Sequence, residues 1–597
     1  MKQSWSRITF LCATALGFAV LFLGTRVLGQ GPCDGIKSAC ISAGFVPGGA
    51  GSGNGLWRDC VNPILQGGTH SRKSTKAVPL VDPQIVAACK AQDPNFGHSG
   101  AAAAATSPQA SAPPTTVPAT PPKALASSAQ HPNIVFVLTD DLAANLLQFM
   151  PHVLQMQKGG VTFANYFVTD SLCCPSRSSI FTGCFPHNTG IYRNRGEDGG
   201  YSAFMNRGNE SHTFAAALWS AGYRTAMMGK YLNGYEPAQN PPAAGWTSWD
   251  VAGNGYPGFH YTLNQNGQLV AHGKQPSDYL TDVLSELAVQ FIRQSGGQPF
   301  VIEVATFAPH RPYTPAPRDA GAFPGLKAPR TPAYDASPNS NTPRWLRQQP
   351  PLAASDMVYI DEAFRKRAQS VLAVDAMIGA LQAAVAALGQ EKNTYFVFSS
   401  DNGYHMGEYR LMPGKMTAFD TDIQVPLIIT GPGVPAGLKL DEMAENIDLY
   451  PTFLELTGVE SQANVDGHSL ALLLQGQKPA DWRKAILVEH RGPLHESRHG
   501  PRHGRPESSD PDAPPVKSGD PPTYEALRAA TALYVEYADG DREYHDLVAD
   551  PYELQNSFSA LTAEQKSALH AALAAMQNCH GAGSCWAAQH PELAGQK

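Results

Sequence analysis

Short runs of apolar, often β-branched residues recur along the chain and alternate with longer segments of helical periodicity. The predicted strands of the central region are 133–139, 300–304 and 395–399. The predicted helices are 214–222, 277–294 and 363–388. A later strand is predicted at 533–537, ahead of a turn at Asp539 and Gly540. Alternating strands and helices are typical of α/β proteins, so we expect a large sheet between layers of helices.

The N-terminal pattern predicts export. Lys2 and Arg7 precede an apolar run at 8–24, which is long for the core of a signal peptide and slightly short for a spanning helix. Residues 1–29 therefore form a signal peptide cleaved near Gly29, or an uncleaved membrane anchor. Either alternative sends the rest of the chain to an oxidising compartment, as a secreted, periplasmic or cell-envelope protein.

Residues 30–97 predict a small module, and residues 98–131 a linker. The module contains four cysteines, which in an exported segment indicate two disulfides of undeducible pairing; a metal site is the less favoured alternative. We expect a binding or attachment role for it. The linker is rich in Ala, Pro, Ser and Thr and nearly free of charge, so it cannot bury a core and should be semi-extended.

Composition allows a large catalytic region with a smaller one behind it. The chain has 597 residues, 43% of them hydrophobic, which is enough for more than one domain. We expect a catalytic domain at 132–480 and a C-terminal subdomain at 481–597. The net charge of −7 argues against general polyanion binding and excludes nucleic acid as an expected partner. Residues 491–522 predict a solvated insertion loop, with a basic binding surface at 491–505 as the alternative.

Polar residues follow two of the predicted strands. Asp140 and Asp141 come directly after strand 133–139, and Asp401 and Asn402 follow strand 395–399 closely. In open α/β sheets the carboxyl ends of strands are where sites form. Two adjacent carboxylates repel each other unless a cation lies between them. Carboxylate and amide oxygens are hard ligands that suit Ca²⁺ or Mg²⁺.

Residues 173–183 carry the most specific motif, Cys-Cys-Pro-Ser-Arg followed after four residues by Thr-Gly. A cysteine beside Pro and Arg in an exported protein is commonly half of a disulfide, which is the structural alternative. The whole segment resembles the signature at which sulfatases convert a cysteine to formylglycine, with Phe181 where Leu is usual. Only Cys173 has Pro two residues after it, so the resemblance implies that a maturation enzyme modifies Cys173.

The chemistry explains this set of residues. An aldehyde formed at Cys173 hydrates to a geminal diol, one hydroxyl of which can attack sulfur and hold the sulfate covalently. Deprotonation of the other hydroxyl then expels sulfate and restores the aldehyde. Arg177 offers a planar fork of donors to the diol or to the anion.

Other segments match the family in order. The resemblance implies one divalent cation, usually calcium and less often magnesium, held by a set of five residues. That set is Asp140, Asp141, Cys173, Asp401 and Asn402. It also implies that Lys230 and Lys415 bind sulfate and that His310 protonates the leaving alcohol. Taken one at a time, these would be solvated lysines and a surface histidine; their order beside the metal-binding set favours a shared site.

One position departs from the family. Many sulfatases carry a histidine two residues after the first lysine, and Leu232 stands there in this chain. The base for the second step is therefore open, and His405 is a candidate for that role or for substrate contact. The segments at 229–233 and 401–405 resemble the branch of N-acetylglucosamine-6-sulfatases and arylsulfatase-like enzymes.

The resemblance covers about 132–585 and implies a fold. We expect the alkaline-phosphatase-like α/β arrangement, a large mixed sheet between helices, with a smaller C-terminal antiparallel sheet and a terminal helix. Cys579 and Cys585 are expected to close a small loop, whereas Cys174 and Cys184 have no assignable partner.

The sequence thus predicts a sulfatase that hydrolyses the sulfate ester of a sulfated sugar, such as N-acetylglucosamine 6-sulfate, or an aryl sulfate. Two alternatives stay open. One is a phosphate or phosphonate ester hydrolase, because those substrates share tetrahedral oxyanion geometry. The other is a sulfated-glycan binder that keeps the fold and never receives the aldehyde.

Overall fold

The structure is a computed structural model. It describes residues 131–461, 464–492 and 519–592, and parts of the N-terminal region, namely 36, 39, 40, 43, 45, 56–65, 78, 79, 81 and 83–92. The predicted signal at 1–29, residues 98–130 of the linker and residues 493–518 of the insertion lie outside the described residues. The chain divides into two compact units, Met1–Val117 and Pro118–Lys597.

The N-terminal unit contains a disulfide-stabilised core. Cys40 is bonded to Cys60, and Cys89 is disulfide-bonded as well. A helical segment at Leu56–Val61, its continuation at Asn62–Leu65 and a helix at Pro83–Gln92 are described. Disulfide bonding, rather than the metal alternative, accounts for these three cysteines.

The second unit contains all sixteen described strands. In chain order they are β1 (Asn133–Thr139), β2 (Val161–Phe163), β3 (Tyr166–Phe167), β4 (Arg224–Lys230), β5 (Ser248–Ala252), β6 (Thr262–Gln265), β7 (Gln268–Ala271), β8 (Phe300–Ala305), β9 (Thr394–Ser400), β10 (Leu427–Thr430), β11 (Leu438–Leu440), β12 (Ala444–Glu445), β13 (Ala485–His490), β14 (Tyr524–Ala529), β15 (Ala532–Tyr537) and β16 (Arg542–Asp546). Ten of them form one sheet in the order β11-β2-β10-β9-β1-β8-β4-β5-β6-β7.

The centre of this sheet is parallel. β9, β1, β8, β4 and β5 run in the same direction, while β10 is antiparallel to its neighbours β9 and β2, and β6 and β7 form an antiparallel hairpin. Every residue of β1 is buried. Ile134 and Phe136 join the hydrophobic core on one face of the sheet, whereas Val135 and Val137 join the core on the other. A strand covered on both faces has a continuous apolar sequence, which is why the pattern predicted β1.

Helices cover both faces of the sheet. In chain order the α-helices of this unit are Pro151–Gly159, Cys173–Thr182, Pro186–Thr189, Gly200–Asn206, Phe214–Ser220, Leu280–Gln294, Arg344–Arg347, Ala354–Ala387, Asp420–Ile423, Leu449–Thr457, Ala471–Leu474, Ala563–Gln577 and Ala582–Ala588. The predicted start at residue 277 was wrong, because Pro276–Asp278 forms a separate 3₁₀ turn. The predicted start at 363 was wrong by nine residues; the helix begins at Ala354, where Asp356 accepts a hydrogen bond from the Ala353 amide (3.0 Å).

The helix Ala354–Ala387 is 34 residues long and, among the described residues, is long and apolar enough to cross a membrane. Of the 18 residues that form its most apolar stretch, 56% are buried inside the protein. It packs in one hydrophobic core with the helix Leu280–Gln294. A core helix of a large α/β unit has this same composition.

The smaller C-terminal sheet has the order β13-β14-β15-β16 and is antiparallel throughout. The helix Ala563–Gln577 packs on it through Leu569 and Leu573. Cys579 and Cys585 form the expected disulfide. The mixed sheet between helices and the separate small antiparallel sheet confirm the predicted fold.

One buried side chain in β8 conflicts with its surroundings. Glu303 is fully buried, and neither of its carboxyl oxygens has a hydrogen-bond partner within the described part of the chain. Burial raises the pKa of Glu303 to about 8, and the charge of Arg177 offsets this only in part. The carboxyl therefore stays protonated well above its ordinary pKa of 4.5.

The buried carboxyl predicts a pH-dependent cost in stability. Between about pH 4.5 and 8 the folded protein keeps a proton on Glu303 that the unfolded chain has released, so its contribution to stability falls as the pH rises through this window. We expect Glu303→Gln to remove this slope, with a relative gain on the order of a few kcal/mol at pH 8 compared with pH 5. Urea unfolding of both proteins at several pH values measures it.

Glu286→Gln is the matched control, because Glu286 lies exposed on the helix Leu280–Gln294. Its stability should follow the wild-type pH dependence. A constant difference between Glu303→Gln and wild type from pH 5 to pH 8 would contradict the prediction.

Candidate active site

The parallel strands carry the predicted site residues to one edge of the sheet. Asp140 and Asp141 follow β1, and Asp401 and Asn402 follow the neighbouring β9. The register pairs the last residues of the two strands, so the two acidic segments emerge side by side. On the other side of β1, β8 leads into the segment of His310, and Lys230 is the last residue of β4.

The helix Cys173–Thr182 begins at the same edge. Cys173 is its first residue, and all ten of its side chains are buried. The amino end of a helix carries partial positive charge and favours an anion there. Ser176 anchors this end: its hydroxyl donates to the Asp401 carbonyl (2.5 Å) and accepts from the Asn446 side chain (2.9 Å).

Charged groups surround the sulfur of Cys173. Its Sγ lies 3.3 Å from Asp140 Oδ1 and 2.7 Å from Lys415 Nζ. The same ammonium group donates to Asp141 Oδ1 at 2.7 Å. Cys173 is a free cysteine, which contradicts the disulfide alternative for this residue; Cys174 and Cys184 are also free.

Arg177 connects the helix to the ends of two strands. Its Nε donates to Asp401 Oδ2 at 2.8 Å, and one Nη donates to the Lys230 carbonyl at 2.9 Å. Burial lowers the pKa of this guanidinium, but Asp401 and Asp140 outweigh that effect and raise it above its usual value. Arg177 is therefore a permanent buried cation in contact with a buried carboxylate.

Asp140 and Asp401 differ in their electrostatic environment. Burial by itself raises the pKa of Asp140, but Lys230, whose Nζ lies 2.5 Å away, and the other nearby cationic groups hold it well below its usual value. Burial and the charge of Asp140 raise the pKa of Asp401 to about 6, although Arg177 lowers it. Two carboxylates so close together are mutually unfavourable, which is the condition that a bound cation relieves.

The carboxylate and amide oxygens of this cluster fit a hard divalent cation. Ligand atoms of four buried residues, Asp140, Asp141, Cys173 and His310, lie within 4.8 Å of one another. Asn402 Oδ1 is buried and has no hydrogen-bond partner among the residues that the structure describes. Asp401 adjoins the group through Oδ1, which accepts from the Asp141 amide (3.1 Å). Asn402, which the sequence predicted as a ligand, thus offers an unused oxygen donor.

His310 and His405 are held in different ways. His310 Nδ1 donates to the Arg311 carbonyl (2.6 Å), and its Nε2 lies 3.5 Å from Asp141 Oδ2. His405 Nδ1 donates to the carboxylate of Asp422 at 2.9 and 3.0 Å, and both side chains are fully buried. A carboxylate on Nδ1 fixes the tautomer of a histidine and orients its ring.

Sequence reasoning missed three residues that contact this cluster. Tyr256 packs on both Lys230 and His310. Arg367 donates to the carbonyls of Asp141 (2.5 Å) and Pro309 (3.3 Å), and Asp422 holds His405. A charged residue on the apolar face of the predicted helix 363–388 was a usable signal for Arg367. Tyr256 and Asp422 gave no local signal, because their partners lie far away in sequence.

The chain is similar in sequence to proteins of a known family. The sulfatase family model matches residues 132–459. Over 494 residues the chain is 34% identical to human N-acetylglucosamine-6-sulfatase. The match covers 76% of this chain and 86% of that protein. The chain therefore belongs to the sulfatase family, and it is a sulfuric ester hydrolase.

Two further proteins are similar to this chain, one in sequence and one in structure. A Drosophila melanogaster protein described as an extracellular sulfatase SULF-1 homolog is 35% identical over 376 residues, which are 61% of this chain and 33% of that protein. The solved structure of BT4656 in complex with its substrate D-glucosamine-2-N,6-O-disulfate has a TM-score of 0.61 at 23% identity, covering 75% of this chain and 97% of that one. This structural likeness confirms the alkaline-phosphatase-like fold.

The buried pair of Arg177 and Asp401 predicts a measurable loss of stability. Arg177→Met leaves the Asp401 carboxylate buried without its cation, and we expect the free energy of unfolding to fall by about 3–5 kcal/mol. Adding Asp401→Asn should restore part of this loss, because the uncompensated charge is then removed. Urea unfolding of the two single variants and the double variant gives the coupling. Additive losses in the double variant would contradict the prediction.

Proposed function

We propose that this enzyme hydrolyses the sulfate ester of a sulfated sugar, with 6-sulfated N-acetylglucosamine as the favoured substrate, using formylglycine at Cys173 and a divalent cation. The observation that carries the proposal is the environment of Cys173. Its side chain lies at the amino end of a buried helix, in contact with Lys415 and Asp140. That combination suits an activated nucleophile and an anionic substrate.

Similarity supports the choice of substrate. The human relative named N-acetylglucosamine-6-sulfatase matches across most of both chains. The sequence also carries that branch's segments at 229–233 and 401–405. A sulfated monosaccharide or the end of a sulfated glycan is therefore preferred over an aryl sulfate.

The proposed cation is Ca²⁺, with Mg²⁺ less favoured. Asp140, Asp141, Asp401 and Asn402 would hold it through oxygen atoms, beside residue 173. A set of three carboxylates and one amide oxygen is typical of calcium sites. When bound, the cation supplies positive charge for the nucleophile and for the sulfate oxygens.

The chain's own residues supply the remaining chemistry. The aldehyde at residue 173, once hydrated, supplies the attacking oxygen. Lys230 and Lys415 bind the sulfate oxygens and neutralise charge that grows in the transition state. His310 donates a proton to the departing alcohol oxygen through Nε2, since its Nδ1 is engaged with a carbonyl. Arg177 orients residue 173 from within the helix.

His405 is the candidate base for sulfate release, with substrate contact as the alternative role. Leu232 stands where relatives of other branches carry a histidine, so another base is needed. The buried carboxylate of Asp422 on Nδ1 leaves Nε2 as the nitrogen for proton transfer. A carboxylate partner also stabilises the imidazolium that forms when histidine accepts a proton.

The remaining regions complete the proposal. The protein is exported by its N-terminal segment, as a secreted or envelope protein, and a maturation enzyme of the host forms the aldehyde. Export agrees with the disulfides Cys40–Cys60 and Cys579–Cys585. The module at 30–97 serves attachment or binding, and the linker at 98–131 spaces it from the catalytic domain at 132–480 and the subdomain at 481–597.

The function predicts sulfate release that depends on Cys173. Wild-type protein from a host that forms formylglycine should release sulfate from 6-sulfated N-acetylglucosamine faster than from other sulfated sugars or 4-nitrophenyl sulfate. Cys173→Ala should lose activity by on the order of a thousand-fold or more, because the attacking group is gone. Ion chromatography of sulfate measures release, and mass spectrometry of the peptide containing residue 173 shows the aldehyde.

Cys184→Ala is the matched cysteine control and should keep wild-type activity. Faster turnover of phosphate or phosphonate esters at equal concentration would replace the sulfatase proposal by the first alternative. A protein that lacks the aldehyde at residue 173, binds sulfated glycans and hydrolyses none of them would support the binder.

The proposed cation site predicts an effect of Ca²⁺ on stability, which can be measured without an activity assay. After EDTA treatment, Ca²⁺ at a hundred times its dissociation constant should add about 2.7 kcal/mol to the stability of wild-type protein. Asp401→Asn should reduce this gain, because it removes a proposed ligand. Asp441→Asn, at an exposed site, is the control. Thermal unfolding with and without Ca²⁺ measures the effect, and an unreduced gain in Asp401→Asn would exclude Asp401 from the site.

A further inference from the structure

One aromatic side chain joins the two sides of the active site. The ring of Tyr256 lies 4.7 Å from the ring of His310, centroid to centroid, at an interplanar angle of 53°. On the other side, Lys230 Nζ lies 4.9 Å from the centre of the Tyr256 ring, within the range of a cation–π contact. Tyr256 thus touches the proposed proton donor and one of the proposed sulfate-binding residues at once.

The loop that carries Tyr256 is held firmly in place. This loop connects β5 to β6. The Tyr256 ring also packs edge-on against the Phe307 ring, with 4.9 Å between the ring centroids. The Tyr256 hydroxyl accepts a hydrogen bond from the Asn233 side chain at 3.3 Å. A Cβ atom at Gly255 would come within 2.5 Å of Leu280 and Phe307, so the absence of a side chain there lets the loop approach this closely.

Polar contacts also hold the ring of His310, whose Nε2 lies 3.5 Å from Asp141 Oδ2. Its Nδ1 donates to the adjacent Arg311 carbonyl at 2.6 Å. Loss of the Tyr256 ring would open space beside the imidazole, because the two rings are in contact.

We propose that Tyr256 is a positioning residue that holds the imidazole of His310 where it donates a proton to the leaving alcohol. This inference rests on the proposed function. A proton donor must lie within hydrogen-bond reach of its target, and a displacement of about 1 Å can cost a hundred-fold in rate. The contact with Lys230 is a second constraint on the Tyr256 ring.

The role predicts a dependence on the leaving group. Sugar alcohols are poor leaving groups and need the proton, whereas 4-nitrophenolate leaves readily without it. Tyr256→Leu should therefore lower kcat/KM for 6-sulfated N-acetylglucosamine by roughly ten- to a hundred-fold, mainly through kcat. The loss for 4-nitrophenyl sulfate should be much smaller. Steady-state kinetics on both substrates, with wild-type protein shown to carry the aldehyde and to release sulfate, make the comparison.

Two further variants separate positioning from folding. Tyr256→Phe keeps the ring and should retain most of the wild-type activity on both substrates. Phe259→Leu removes a different aromatic ring of the same loop, the ring that packs on Tyr279. This variant should keep the wild-type kcat/KM for both substrates. An equal loss on the two substrates in Tyr256→Leu would overturn the proposal, as would a loss in Tyr256→Phe as large as in Tyr256→Leu.

A crystal structure of Tyr256→Leu gives a readout that does not depend on turnover. We expect the imidazole of His310 to move from its position beside Asp141, where Nε2 now lies 3.5 Å from Oδ2. An unmoved ring would overturn the positioning role even if the enzyme is a sulfatase. Failure of wild-type protein to release sulfate would instead contradict the proposed function, and a displaced ring would still support the contact.

Discussion

The compensation of buried charge governs the architecture of this enzyme. Three carboxylates, two ammonium groups and one guanidinium meet at the carboxyl edge of the parallel strands, and each is almost fully removed from water. Charges in such a place persist only when each one has a partner. The contacts of Lys230 with Asp140, Lys415 with Asp141 and Arg177 with Asp401 provide those partners. An anionic substrate and a cation would redistribute these contacts within a site whose groups are already in place.

The parallel sheet makes this convergence possible. β9, β1, β8 and β4 are neighbours and end at one edge, so residues that are hundreds of positions apart in sequence meet there. The helix Cys173–Thr182 adds its amino end and places Cys173 and Arg177 one turn apart. Groups placed directly at the ends of strands and of a helix suit a site in which small displacements are costly.

The C-terminal sheet braces the loops around the site. The Glu489 amide in β13 donates to the Thr169 carbonyl (2.8 Å), a few residues before Cys173. Arg528 in β14 forms two hydrogen bonds with Asp420, which lies beside the Asp422 that holds His405. The Glu553 carboxylate accepts from the Asp420 amide on the same segment. The smaller sheet therefore stabilises two segments that carry site residues.

Local patterns in the sequence determined the strands β1, β8 and β9, the acidic residues that follow two of them, and the Cys579–Cys585 loop, because each depends on neighbouring residues. Periodicity placed the start of the long helix at 363 and missed its first turns, because exposed apolar residues such as Val358 and Tyr359 interrupt the apolar stripe there. The tertiary structure alone decided three other features. They are the disulfide between Cys40 and Cys60, the hydrogen bond from His405 to Asp422 and the ring contact of Tyr256 with His310. These contacts depend on strand order and on how loops pack over the sheet edge, and those are properties of the folded chain rather than of any segment within it.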